Sequence, residues 1–362
     1  MSKVRVVVVD DSAFMRKAIE SMIAKDPDIE IVGQARNGFE AVDMAKKLRP
    51  DVMTLDIEMP RMDGLTALQK IMEENPLPVI MVSSLTTEGA DATIKALEYG
   101  AVDFISKDKS FASFGVMKIE DELRNKIKSF ARRKGIIRRM PVRKPMRPSA
   151  PAAQRQPQAP SKPEATKTVS RGFGKKLVVI GTSTGGPQSL QKVIPRIPAN
   201  FPCPIVIVQH MPPNFTKSLA TRLDSLSKLK VIEAQGNEKL EPGTVYIAKG
   251  GNHLKLKRAG SGLLTGISSE PEGSLHVPSV DVTVESIANV AGTDTLGVIM
   301  TGMGSDGRKG LQMLKQRGGN VIAQDEESCI VYGMPRAVIE AGISDEIVPL
   351  DDIFNRIIFH CK

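Results

Sequence analysis

Cysteine, histidine and aromatic side chains are all scarce in this chain. Three cysteines (Cys203, Cys329 and Cys361) are scattered over 362 residues. An odd number without short spacings builds neither a metal site nor a disulfide framework, which points to a reducing compartment, the cytoplasm. Cys203 and Cys329 read as small core residues. Four histidines leave few choices for an imidazole base. No apolar run approaches a membrane-spanning helix, and the N-terminal residues open on a strand pattern rather than a signal peptide, so no membrane insertion is expected. An even spread of charge is also lacking. Of the formal net charge of +9, residues 131–171 carry +11, from twelve Lys or Arg against one Glu, which leaves −2 for the rest. The same segment holds seven prolines and no hydrophobic period. It reads as an extended basic linker. With no ring to stack on bases and no amphipathic period to insert, it gives no ground for a nucleic-acid or membrane partner.

What is present, twice, is β/α alternation. Residues 4–10, 29–33, 51–56, 79–83 and 103–107 read as strands, with helical periods between them. Val116, Ile119, Leu123, Ile127 and Phe130 mark a last amphipathic helix. After the linker, strands are expected at Leu177–Ile180, Ile205–Val208, Val231–Ala234, Val245–Ala248, Leu296–Met300 and Val321–Gln324. Helices are expected at Gly186–Val193, Phe215–Leu226, Val282–Ala291, Gly307–Arg317 and Met334–Ala341, with an inserted hairpin over His253–Lys257 and Leu263–Ser269. The reading is an α/β chain. A doubly wound domain spans 1–130, a basic Pro-rich linker 131–172, and a three-layer α/β domain with a mostly parallel sheet 173–362.

In the first domain Asp10, Asp11 and Asp56 close predicted strands and should face one crevice. Crowded carboxylates repel unless a hard cation sits among them, and Mg²⁺ is the usual solution. Ser83 and Lys107 end the next two strands and would contact phosphoryl oxygens there. A single Asp at a strand end is more often a helix cap, but five such groups in succession are not explained that way. This set, with the Met59-Pro60-x-Met62-Asp63-Gly64 run and Phe104, resembles the response-regulator receiver domain. The resemblance implies a flavodoxin-like fold, phosphorylation of Asp56 by a histidine kinase, Mg²⁺ bound by Asp10, Asp11, Asp56 and the Glu58 carbonyl, phosphoryl contacts from Ser83 and Lys107, and a rotameric switch at Phe104. Lys107 is followed by Asp108, where receivers usually carry Pro.

In the second domain the strand at Leu177–Ile180 runs into Gly181-Thr182-Ser183-Thr184-Gly185-Gly186-Pro187, a Gly-x-Ser-x-Gly turn that opens a helix. Such a turn exposes a serine hydroxyl, and the helix start beyond it suits an oxyanion or a bound phosphate equally. The strand at Ile205–Val208 ends in Gln209-His210, and that at Leu296–Met300 in Thr301-Gly302-Met303-Gly304-Ser305-Asp306-Gly307. A hydroxyl, an imidazole and a carboxylate thus follow parallel strands, as an activated serine requires. The order Ser, His, Asp differs from that of α/β-hydrolases, chymotrypsin and subtilisin. His276 competes with His210 as base, and Asp281 is the weaker rival to Asp306. His253 is expected to be exposed in its hairpin, and His360 to pack in an apolar C-terminal helix.

The runs around Ser183, His210 and Asp306, with Pro278-Ser279-Val280-Asp281, resemble the chemotaxis protein-glutamate methylesterases of the CheB family over nearly all of 173–362. Ser305 stands where that family often has Asn. The resemblance implies Ser183 as nucleophile, His210 as base, Asp306 as orienting acid, the Met303 N–H as oxyanion donor and Thr184 in support. It implies a phosphorylation-activated esterase, in a chemotaxis pathway, acting on glutamate γ-methyl esters of chemoreceptor cytoplasmic helices. It also implies deamidation of receptor glutamines, the kinase CheA as phosphodonor, a monomer, and no cofactor in the esterase crevice. Two other classes stay open. One is a receiver-controlled phosphate or nucleotide binder without covalent catalysis, against which the missing P-loop Lys counts. The other is a DNA-binding regulator, against which the size of the β/α region counts.

Overall fold

The computed structural model describes residues 3–107, 116–132, 174–260 and 262–362. The expected basic linker beyond Arg132 and the Lys107–Asp108 bond lie outside them. The first domain runs β1 (Val4–Val9), α1 (Ala13–Ala24), β2 (Ile29–Ala35), α2 (Gly38–Leu48), β3 (Val52–Asp56), α3 (Gly64–Glu74), β4 (Val79–Ser84), α4 (Thr87–Glu98), β5 (Asp103–Lys107) and α5 (Val116–Arg132). The sheet is parallel in the order β2-β1-β3-β4-β5. Its strands are apolar on both faces because helices cover both. Each helix from α1 to α4 begins where a polar side chain accepts a backbone N–H: Ser12, Asn37, Asp63 and Thr86.

The second domain runs β6 (Leu177–Thr182), α6 (Gly186–Val193), β7 (Ile205–Gln209), α7 (Phe215–Leu226), β8 (Lys230–Glu233), β9 (Thr244–Ile247), β10 (His253–Ala259) and β11 (Gly262–Ser268). It continues through α8 (Val280–Ala291), β12 (Thr295–Ile299), α9 (Arg308–Gln316), β13 (Asn320–Gln324), α10 (Met334–Glu340), β14 (Glu346–Val348) and α11 (Leu350–His360). Seven parallel strands lie in the order β14-β13-β12-β6-β7-β9-β8, and β10 and β11 form the separate antiparallel hairpin. The expected strands and hairpin are all present. The short β14 was not anticipated: three residues whose central Ile347 is exposed give no periodic signal. His253 is a correction. It is fully buried, because its end of the hairpin packs under α8 rather than projecting into solvent.

In both sheets the chain reverses direction across a central pair of strands, β1 and β3 in the first and β6 and β12 in the second. Such a reversal opens a crevice at the carboxyl ends of the strands.

The two domains meet through α4 and β5 of the first and α6 and α7 of the second. Nε and Nη2 of Arg222 both donate to the Glu98 carboxylate. Gln188 Nε2 donates to the Leu97 carbonyl at 3.0 Å and also to that of Ala101. Asn214 Nδ2 donates to the Leu85 carbonyl at 2.9 Å. Phe104 stacks face to face on Phe215, with ring centroids 4.7 Å apart and planes 2° apart.

Candidate active site

Ser183 follows β6 and His210 follows β7. The two strands are paired in register from Val178 with Ile205 to Thr182 with Gln209, so these two residues leave the sheet side by side. The turn is held tightly. Ser183 N–H donates to the Thr301 carbonyl at 3.0 Å, and the Ser183 carbonyl accepts from Gly186 N–H at 2.8 Å and Gln209 Nε2 at 2.9 Å. Gly185 has φ +77°, and a Cβ there would come within 2.6 Å of Ile330, so glycine is required. Gly302, after β12, lies against the serine: a Cβ there would sit 2.9 Å from Ser183 Cβ. Thr184 is buried, and its carbonyl accepts from Thr301 Oγ1 at 3.0 Å. Met303 is half-buried, one residue beyond the strand of bonds that ties Gly302 to the Val331 carbonyl.

His210 Nε2 bonds Asp306 Oδ2 at 2.7 Å. The other ring nitrogen, Nδ1, is buried with no hydrogen-bond partner among the described residues. It is the ring atom left to face a proton donor. The Ser183 hydroxyl makes no hydrogen bond among the described residues, so the Ser–His contact is not yet closed. Asp306 is held on every side. Its Oδ1 accepts from Ser279 Oγ, Asp281 N–H and Gly307 N–H, each at 3.0 Å, and its Oδ2 from Val280 N–H at 2.7 Å. Burial pushes its pKa up, but the His210 bond and charge and the amides of Asp281 and Val280 outweigh it and hold the carboxyl below its ordinary range. Asp281 goes the other way, up to about 6, from burial and from the Asp306 charge beside it, which its Gly310 N–H bond does not offset. The two rivals are thus separated: Asp306, not Asp281, bonds the imidazole. His276 is not remote either. Its ring stacks on His210, with centroids 4.1 Å and planes 12° apart. His360 is buried against Glu346, where Nε2 and Oε1 are 2.9 Å apart, in the packing role expected of it.

In the first domain Asp10, Asp11 and Asp56 converge, with one carboxylate oxygen from each within 4.8 Å of the others. Lys107 Nζ bridges Asp10 Oδ2 at 2.9 Å and Asp56 Oδ1 at 2.8 Å. Burial and the Asp10 charge raise Asp56 to about 6 against the pull of Lys107. Burial drags Lys107 down, yet its bonds to Asp56 and Asp10 prevail and leave it raised. Ser83 is buried and donates to the Gly89 carbonyl at 3.0 Å. Glu58 N–H reaches Asp56 Oδ1 at 3.4 Å. A cluster of hard oxygen donors at this spacing fits Mg²⁺.

Residues 178–357 match the family model of the CheB methylesterase, and residues 6–114 that of the response regulator receiver domain. A protein-glutamate methylesterase/protein-glutamine glutaminase of Oleidesulfovibrio alaskensis is 49% identical over 362 residues, covering 98% of each chain. The chain belongs to the CheB methylesterase family. A relative of the same name from Halalkalibacterium halodurans is 46% identical, over 100% of this chain and 99% of its own. The crystal structure of the Thermotoga maritima CheB methylesterase catalytic domain superposes with a TM-score of 0.50 at 49% identity, over 51% of this chain and 97% of that one. In this CheB-family chain Ser183 and His210 leave paired strands of the second sheet and His210 bonds Asp306; Asp10, Asp11, Asp56 and Lys107 meet at the first sheet, and Phe104 lies in the domain interface. Sequence reasoning gave Ser279 no role of its own, placed His253 at the surface, and missed Phe215, Arg222 and Glu98 at the interface. The Ser279 signal was readable as a helix cap; the rest pair across long separations and leave no local trace.

Proposed function

We propose that the chain is a phosphorylation-activated serine esterase that hydrolyses glutamate γ-methyl esters on the cytoplasmic helices of chemoreceptors, and deamidates receptor glutamines at the same site. The observation that carries this is the His210 ring, with one nitrogen fixed by Asp306 and the other buried with no partner among the described residues, at the end of the strand paired with the one that leads into Ser183. Ser183 Oγ attacks the ester carbonyl and gives its proton to His210 Nδ1. The Met303 N–H faces the oxyanion, and Thr184 supports the turn. His210 returns the proton to the departing methoxide, which leaves as methanol. Water, deprotonated by the same nitrogen, then releases the free glutamate. A glutamine amide follows the same path and loses ammonia. No step in this crevice calls for a metal.

In the receiver, Asp56 takes the phosphoryl group from a histidine kinase of the CheA type. Asp10, Asp11 and Asp56, with the Glu58 carbonyl, would hold Mg²⁺, which neutralises the phosphoryl charge. Lys107 and Ser83 contact the phosphoryl oxygens, and Phe104 is the switch. The domains divide at 1–130, 131–172 and 173–362, and the enzyme works as a cytoplasmic monomer. Among the described residues no helix is long and apolar enough to cross a membrane. The receiver docks on α6 and α7, the helices that leave the Ser183 and His210 turns, so the docked state keeps a bulky receptor helix out. A fluorophosphonate probe tests the reading. It should label Ser183 alone, and a Ser183→Ala protein that still hydrolyses the ester would overturn it.

A further inference from the structure

Asp306 belongs to the catalytic set, but what fixes Asp306 is a different group of residues. Three of its partners come from the start of α8: the Ser279 hydroxyl, the Val280 amide and the Asp281 amide. The fourth is the amide of Gly307. Ser279 is buried and is itself held from behind, since its N–H donates to Nδ1 of the buried His253 at 3.2 Å. His253 is surrounded by the hairpin and α8, where burial and the Lys255 charge favour its neutral form, the form whose Nδ1 can accept. A line of contacts therefore runs from His253 through Ser279 and Asp306 to His210. Ser279 also caps α8, but weakly, at 3.4 Å to Val282 N–H. The shorter bond of its hydroxyl goes to Asp306.

We propose that Ser279 is a positioning residue of the esterase: its hydroxyl, seated on His253, sets the orientation in which Asp306 aims the His210 ring at Ser183. This rests on the hydrolytic reading above. The amides of Val280, Asp281 and Gly307 keep the carboxylate charged and in place. The hydroxyl fixes its rotation about the side-chain bond, because among the described residues it is the one side-chain donor on Oδ1. The charged and titratable groups that face this unit include His210 and His276 on one side, Asp281 on the other and Lys255 beside His253.

The test uses the full chain. Ser279→Ala should lower kcat on a small methyl or aryl ester about tenfold, the order expected for one hydrogen bond to a charged group, with KM little changed. The rate of fluorophosphonate labelling at Ser183 should fall in parallel. Ser279→Thr, which keeps the hydroxyl, should restore both. The low-field proton resonance of the His210–Asp306 bond should move in the Ala variant and return in the Thr variant. A residue that merely capped α8 would lower thermal stability and leave that resonance and kcat alone. If Ser279→Ala does not fold, Ser279→Cys keeps the volume and replaces a strong donor by a weak one. Full activity in Ser279→Ala, with Ser183→Ala inactive, overturns the proposal and leaves the esterase reading intact. Activity in Ser183→Ala overturns that reading instead.

Discussion

Two aspartates, Asp56 and Asp306, stand at the same address in their two sheets, where the chain reverses beside a central parallel strand, and physics treats them oppositely. Asp56 is raised to about 6 because it is buried among carboxylates with one lysine to share. Asp306 is lowered because backbone amides, a hydroxyl and an imidazole all turn donors toward it. Burial pushes both upward; the donors decide the sign. A carboxylate under repulsion favours neutralisation, by a proton, a cation or a phosphoryl group. One saturated with donors keeps its charge and its direction, as the orienting acid of a triad must. One sheet architecture thus supplies both a site that changes and a site that does not.

The contrast can be attacked from the rigid side first. Ser183→Ala should abolish ester hydrolysis down to the residue of about 10³–10⁴-fold over water that binding and oxyanion donors leave in such enzymes, with the fold intact by circular dichroism. His210→Gln should be nearly as damaging, and His276→Gln much milder, since it is His210 that bonds Asp306 while His276 stacks on its ring. A reversed pair of rates would move the base to His276. The changeable side is probed through the docking face. A fragment from about Arg171 onward should exceed the unphosphorylated full chain in activity. Asp56→Asn should stay at basal activity with or without phosphodonor. Arg222→Ala, which cuts the partly exposed ion pair to Glu98, should raise basal activity by about fivefold at most. Equal activity of fragment and full chain would leave the receiver without an inhibitory role.

The smallest effect sharpens the comparison at Asp281, whose pKa rises from 3.8 to about 6. A raised carboxyl pKa adds stability that is fully present below the unfolded value and lost as pH rises through the folded one. Asp281→Asn keeps an acceptor for Gly310 N–H and removes the charge. Its thermal unfolding relative to the parent should be more favourable at pH 8 than at pH 4. The difference should be on the order of 1 kcal/mol once solvent screening is allowed for.

Much of this was legible in the chain because both crevices are built from strand ends. An apolar run that stops at a carboxylate, a serine or a histidine announces its address. So local pattern picks out Asp10, Asp56, Lys107 and Ser183, and it favours His210 and Asp306 without removing His276 and Asp281 as rivals. His253 could not be picked out this way. Its hairpin alternates polar and apolar residues, and its burial depends on α8 closing over it from nearly thirty positions away. The other half of the docking face was hidden: Phe104 stands out as a switch on the fifth receiver strand, but its partner Phe215 lies in the other domain and reads as ordinary core. The His276 stack was invisible for the same reason: an irregular segment carries no period.

The Phe104–Phe215 stack has a consequence for energy flow between the domains. If phosphorylation turns Phe104 and weakens docking, thermodynamic reciprocity requires docking to oppose phosphorylation by the same free energy. The catalytic domain then acts as a load on the acceptor. Each phosphoryl group bound by the full chain must do the work of parting two stacked rings, and the receiver set free from its partner would hold that group more readily.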